Sequence, residues 1–247
     1  MVRTFTRNQD WFNGRTLFEQ EVNTAPNCAR LQCYYANAIS NVSFLNTIPK
    51  PEGVKFINQA IDSYKKAIEI YPEFHQAYSS LAEVYGLLGN ITSAETCYIK
   101  ATILKPNEAN YFNNYGNFLF QLQRYDEASI QFDKALKVDS LFPQALNNKG
   151  SVYGVKGNML KQSADSLFKL GDSTQGNAYL QRANTQFLFS IPYFESAIQK
   201  DPNFAIPHKY LAVSLAQLGQ IDKSNVEYLK DQALNKKNPK LNFMKMF

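Results

Sequence analysis

The apolar and polar positions of this chain follow one pattern in two consecutive copies. Residues 75–108, HQAYSSLAEVYGLLGNITSAETCYIKATILKPNE, align without a gap on residues 109–142, ANYFNNYGNFLFQLQRYDEASIQFDKALKVDSLF. The offset is 34 residues, and self-similarity of this kind marks a stack of small supersecondary units. Large apolar groups occupy repeat positions 4, 7 and 11: Tyr78, Leu81 and Tyr85, then Phe112, Tyr115 and Leu119. Small residues stand at positions 8, 20 and 27 (Ala82, Ala94 and Ala101; Gly116, Ala128 and Ala135), with an aromatic at 24 (Tyr98; Phe132). The spacing predicts two helices per unit, A and B. Helices that cross closely need a residue without bulk at the contact, and the aromatic fills the space beside it. Pro106, at position 32, stops helix B of the first copy, whereas Ser140 stands there in the second.

The period and these positions resemble the tetratricopeptide repeat. The resemblance implies an all-α fold, a right-handed superhelix of stacked antiparallel helix pairs whose concave surface is lined by helix A. Extended outward, the register makes residues 1–247 a single repeat domain. It comprises a half-repeat at 10–28, with Phe18 at position 24 and Pro26 at position 32, then repeats at 29–74, 75–108, 109–142, 143–204 and 205–238, and a tail at 239–247. Residues 29–74 hold 12 extra residues around Asn46–Gly53, expected as the loop TIPKPEG. In 205–238, Leu211, Ala212, Leu215, Ser224 and Tyr228 keep the pattern, but Asp231 and Lys236 depart from it. That is the polar outer face expected of a C-terminal cap.

The repeat at 143–204 exceeds the period by 28 residues. Apolar residues continue through the excess at helical spacing, Leu160, Ala164, Leu167 and Phe168, then Leu180, Ala183 and Phe187. Between them GDSTQG, residues 171–176, has the composition of a turn. Two readings compete. Helices A and B each gain about 14 residues and form one elongated hairpin, 159–186, protruding roughly 21 Å. Alternatively helix A ends at Gly157-Asn158, as at Gly89-Asn90, and Met159–Leu170 is a separate helix. The long hairpin is the more economical. Pro192, near its base, is expected to kink or interrupt helix B.

Function in such a stack is carried by side chains on the concave face, at repeat positions 2, 5, 6, 9 and 13. The central copies place Asn110, Asn113, Asn114, Asn117 and Gln121 there, then Gln144, Asn147, Asn148 and Ser151. Gln76, Ser79, Ser80 and Glu83 precede them, and Lys209 follows. Each amide offers a donor and an acceptor, so a row of them can pair with an extended peptide backbone regardless of its side chains. Asn114 and Asn148, at position 6, resemble the asparagine ladder in the tetratricopeptide region of O-GlcNAc transferase, although Ser80 and Tyr210 break the row on either side. The competing account is that asparagine, abundant in this chain, sits wherever a helix meets water. The peptide-binding groove expected here is Gln76, Asn110, Asn113, Asn114, Asn117, Gln121, Gln144, Asn147, Asn148 and Lys209. A carboxylate clamp is disfavoured, because only Lys149 and Lys209 could serve it.

Composition narrows the alternatives. The chain has 26 Lys and Arg against 21 Asp and Glu, a net charge of +5 spread along its length. No stripe of cations follows a phosphate backbone, and no nucleic-acid partner is expected. The 15 Tyr and 18 Phe fall mostly at core positions, not on a stacking platform. Three cysteines fit neither a disulfide framework nor a zinc spacing, and Cys28 and Cys33 face different sides of a helix. His75 and His208 lack a Ser, Cys or Asp partner at usable spacing and are expected at the surface. Lys149, at the usually apolar position 7, is expected to snorkel past its neighbours. No catalytic residue, metal ligand or cofactor is assigned, and the expected state is a monomer or weak dimer. No apolar run approaches the roughly 20 residues of a membrane span, and residues 1–30 hold no apolar signal-peptide stretch, so the expectation is a cytoplasmic chain or a soluble piece of something longer. The basic tail KKNPKLNFMKMF is read as a frayed terminus.

A second resemblance lies in RTFTRNQDWFNGRTLFEQEVNTAPNCARLQCYYANAI. Arg7-Asn8, Asp10-Trp11 and Leu17-Phe18 resemble the segment after the last membrane helix in transmembrane-and-tetratricopeptide-repeat glycosyltransferases and their bacterial relatives. The later FSIPYFESAIQKDPN is similar to repeats of those bacterial proteins. The resemblance implies an upstream membrane domain that holds the sugar-transfer site, with this chain as an extracytoplasmic or periplasmic module positioning a polypeptide acceptor. It assigns no catalytic residue here. A soluble protein-binding scaffold is the principal expectation, and the accessory module the alternative, with a stand-alone assembly factor as a third.

Overall fold

The computed structural model describes residues 14–41, 45–46 and 49–237. The motifs Arg7-Asn8 and Asp10-Trp11 and the tail at 239–247 lie outside them. The helices, in order, are α1 (Gly14–Thr24), α2 (Ala29–Ile39), α3 (Lys50–Ile70), α4 (His75–Leu87), α5 (Ile91–Leu104), α6 (Ala109–Gln121), α7 (Tyr125–Val138), α8 (Pro143–Lys169), α9 (Ser173–Lys200), α10 (Ala205–Gln217) and α11 (Ile221–Lys237). They form the all-α solenoid class that the repeat predicts, built of stacked antiparallel helix pairs. Two compact units divide the chain, Met1–Tyr115 and Gly116–Phe247.

In the first unit, α2 packs on α3 and α4 on α5. Ala60, Ala67, Ala82, Ala94 and Ala101 are wholly buried where helices cross, as absence of bulk at those crossings requires. Aromatic rings fill the remaining space: Phe18 lies 5.6 Å from Tyr34, and Tyr98 stacks on Tyr115 at 5.6 Å. The expected loop TIPKPEG is helical from Lys50 onward. Pro51 occupies the first turn, where its missing N–H is not needed, and Glu52 lies beside the positive helix end. Gly53 is buried against Leu45.

In the second unit the long hairpin is present, as α8 of 27 residues and α9 of 28. Ordinary A and B helices here have 13 and 14, so each gains about 14 residues, roughly 21 Å of length. Gly157-Asn158 does not break α8, because the Phe187 ring packs directly on Gly157. The chain turns instead at Gly171, whose φ of +83° suits glycine. Asp172 then caps α9, its Oδ1 accepting from the Gln175 N–H at 2.9 Å. Phe194 on Gly150, and Phe187 on Gly157, form layers seven residues apart along both helices, the spacing of a coiled-coil seam.

Of the two expected effects of Pro192, a kink or an interruption, the interruption does not occur: α9 continues through it. The proline takes a donor from the Leu188 carbonyl, and Leu188 is on the open side of the helix, 54% exposed. At the end of α7, where Ser140 replaces proline, Asp139 Oδ1 accepts from the Leu141 N–H at 3.0 Å. This Asx-type turn terminates the helix in proline's place. Asp231 is not on an outer polar face: it is 6% exposed and accepts from Asn235 Nδ2 at 2.8 Å.

Candidate functional site

The amide-bearing faces belong to α4 and the start of α6 in the first unit, and to the end of α6, α8 and α10 in the second. In the first unit Gln76 and Asn110 are exposed, Asn114 is half-buried and Asn113 is buried. Asn114 Nδ2 donates to Glu83 Oε1 at 2.9 Å, and Asn110 Nδ2 to Glu108 Oε1 at 3.1 Å. Protein packed around the Glu83 carboxyl raises its pKa, although part of the side chain meets solvent; the Asn114 bond opposes that rise.

In the second unit Gln121, Gln144 and Lys209 are exposed, Asn117 and Asn148 half-buried, and Asn147 buried. Asn147 Nδ2 donates to Asn148 Oδ1 at 3.2 Å. Asn117, Asn147, Asn148 and Ser151 converge with Phe120, Ile206 and Tyr210 around a cavity of about 180 Å³. Asn113 and Asn147, both at position 5, turn inward instead of facing the open side. That position lies about 60° of helix rotation from the buried position 8, closer to the core than to the amides at position 6.

Three polar clusters correct the sequence expectations. Lys149 does not snorkel: it is 4% exposed, and its Nζ donates to Ser129 Oγ at 2.6 Å and Asp133 Oδ2 at 2.7 Å. Burial is affordable because both partners come from the adjacent α7. His208 is not at the surface either. It is 4% exposed, with Nδ1 2.5 Å from Glu227 Oε2, while Lys230 Nζ donates to Glu227 Oε1 at 2.7 Å. His75 is half-buried, Nδ1 2.6 Å from the Tyr111 hydroxyl. Its pKa is lowered, first by burial and then by Lys105, against an upward pull from Glu108. The signal for two of these was in the register, since His208 and Lys149 hold positions 4 and 7, where side chains are buried. Cys28, Cys33 and Cys97 are free thiols, and burial raises Cys33 and Cys97 to about 11.

Helix pairs of this register, with small residues under aromatic rings, are those of a tetratricopeptide-type fold, and a family model described as "Tetratricopeptide repeat" matches residues 80–145. The type IV pilus assembly protein PilF of Pseudomonas aeruginosa is 35% identical over 86 residues, 35% of this chain and 34% of that protein. A solved PilF structure superposes with a TM-score of 0.55 at 20% identity, covering 80% of this chain and 77% of that one. Human protein O-mannosyl-transferase TMTC3 is 26% identical over 151 residues, 61% of this chain and 16% of that protein. The chain thus spans about a third of PilF and a sixth of TMTC3. IFIT1, solved with Gppp-AAAA, gives a TM-score of 0.64 at 17% identity, covering 90% of this chain and 46% of that one. At these identities the structural likenesses are likenesses of fold.

Proposed function

We propose that this protein is a non-catalytic interaction module that holds an extended polypeptide on its helix A faces through side-chain amides. The observation that carries this reading is the convergence of Asn117, Asn147, Asn148 and Ser151 on one cavity whose lining bears no charge. Amides there can both donate to and accept from peptide groups. Gln121 and Gln144 extend the same chemistry along the second unit, and Gln76, Asn110 and Asn114 supply it in the first. An oligonucleotide is the rival ligand class, given the fold shared with IFIT1. Lys209 is the one cation among the groove residues, too little to neutralise a run of phosphates. No group of three or more His, Cys, Asp or Glu gathers among the described residues to hold a metal.

The test is fluorescence polarisation with a labelled extended peptide, comparing the wild type with alanine at Asn113, Asn114, Asn117, Asn147 and Asn148. A loss of about tenfold or more in affinity, roughly 1.4 kcal/mol, is expected. Unchanged peptide binding, or preference for a labelled oligonucleotide, sinks the reading.

The TMTC3 match favours a second reading, in which the same face serves an extracytoplasmic or periplasmic accessory domain of a multi-span membrane glycosyltransferase-like protein and positions its acceptor polypeptide. That reading requires an apolar multi-span region encoded immediately upstream; genomic sequence without one removes it.

A further inference from the structure

One polar atom beside the cavity of the second unit has no partner. Asn147 is 5% exposed, and while its Nδ2 donates to Asn148, its Oδ1 is buried without a hydrogen bond. Such an acceptor is costly to leave unsatisfied, and Asn147 is itself one of the residues that line the cavity. The cavity is about 180 Å³, below the roughly 300–1,000 Å³ of a drug-sized site and suited to one side chain. Phe120, Ile206 and the Tyr210 ring form its apolar walls. Tyr210 is held in place, stacked at 6.0 Å on Phe194, which is itself 1% exposed.

These walls specify the occupant by elimination. Lys, Arg, Asp and Glu would bring a charge to a lining that offers none in return. Phe, Leu and Met supply an apolar body but no donor, and Ser, Thr and Asn supply a donor with little body. Tryptophan and tyrosine combine a large ring with one N–H or O–H, which needs a partner when buried. We propose that this cavity is an anchor pocket for a tryptophan or tyrosine side chain of the bound polypeptide, its ring donor satisfying Asn147 Oδ1. The assignment rests on the peptide-binding reading above and adds to it a sequence preference that a row of amides alone lacks. Buried aromatic anchors of this kind dominate the affinity of many interfaces.

The experiment uses the full chain and four fluorescein-labelled peptides with one Gly-Ser-Ala host sequence and Trp, Tyr, Phe or Leu at the centre. The Trp or Tyr peptide is expected to bind about tenfold more tightly than the Phe peptide. Asn147→Leu, which fills similar space without an acceptor, is expected to abolish that difference between the Trp or Tyr peptide and the Phe peptide. Circular dichroism checks that this variant folds. Tyr210→Ala, altering a side chain 39% exposed at the cavity wall, is the second variant and weakens both the Trp and Tyr peptides. Equal binding of all four peptides, or discrimination that survives Asn147→Leu, overturns the anchor pocket while peptide binding stands. If none of the four binds, the peptide-binding reading itself falls, and the pocket with it.

Discussion

The Phe194 ring occupies the space that a β-carbon on Gly150 would need: a carbon built there lies 2.7 Å from Phe194 Cε1. The ring cannot retreat, because Phe194 is 1% exposed and packs with Leu211, Leu215, Ile191 and Ile198. The same arrangement joins Phe132 to Gly116, Phe187 to Gly157 and Phe168 to Gly176. A small residue and a ring meeting at each helix crossing therefore hold both the ordinary repeat and the long hairpin together.

Gly150→Ala is expected to lose stability despite alanine's better helix propensity. Overpacking costs about 1–3 kcal/mol against a propensity gain of about 1 kcal/mol. Gly154 is the control, since nothing lies within 4 Å of a β-carbon there, and Gly154→Ala is expected to gain up to about 1 kcal/mol. Urea denaturation measures both. Equal and stabilising effects at the two sites would show that the ring does not constrain Gly150.

The two partners of the Lys149–Asp133 pair are expected to behave asymmetrically. The lysine side chain is 5% exposed and the aspartate 58%. Asp133→Asn leaves a buried ammonium with Ser129 as its remaining strong partner and costs about 1–3 kcal/mol. Lys149→Met replaces the buried charge with an apolar stem, returns Asp133 to water, and is neutral or stabilising. Thermal melts of the two variants decide the point, and greater damage from Lys149→Met would reverse it.

Glu227 makes the last helix pair sensitive to acid. Burial pushes its carboxyl pKa upward, but the Lys230 and His208 bonds outweigh burial and leave the pKa below its ordinary 4.5. A depressed folded pKa contributes stability that is complete above the unfolded value and lost as pH falls through the folded one. Glu227→Gln is therefore expected to destabilise by about 1–3 kcal/mol at pH 7, with the gap from wild type narrowing as pH falls below the ordinary 4.5. Urea titrations at pH 7 and pH 3 test this, and a gap that persists unchanged at pH 3 contradicts it.

Much of the fold was legible because the repeat encodes backbone geometry in residue size. Gly116 and Phe132 stand at positions 8 and 24, and Gly150 and Phe194 meet in the same way. The long hairpin was legible from apolar spacing, since Gly157 alone cannot end a helix whose neighbour supplies Phe187 to cover it. The polar clusters were harder to see. His208 and Lys149 hold buried positions, yet their partners Glu227 and Asp133 come from other helices, 19 and 16 residues away, where charge follows no period. The amide positions were legible, but the inward turn of Asn113 and Asn147 was missed, although position 5 lies only about 60° of helix rotation from the buried position 8. The start of α3 was obscured by Pro51 and Gly53, residues that read as a loop in sequence and here open a helix.

The layers formed by Gly150 with Phe194 and Gly157 with Phe187 recur at an interval of two helical turns, roughly 10 Å. The reach of this arm is therefore quantised. Removing or adding one such interval in both α8 and α9 moves the tip by a fixed step while every glycine keeps its ring. A change of two or five residues between the layers would instead turn the glycines well away from their mates. Descendants of this sequence can thus tune how far the arm extends in discrete increments, leaving the base of the hairpin untouched.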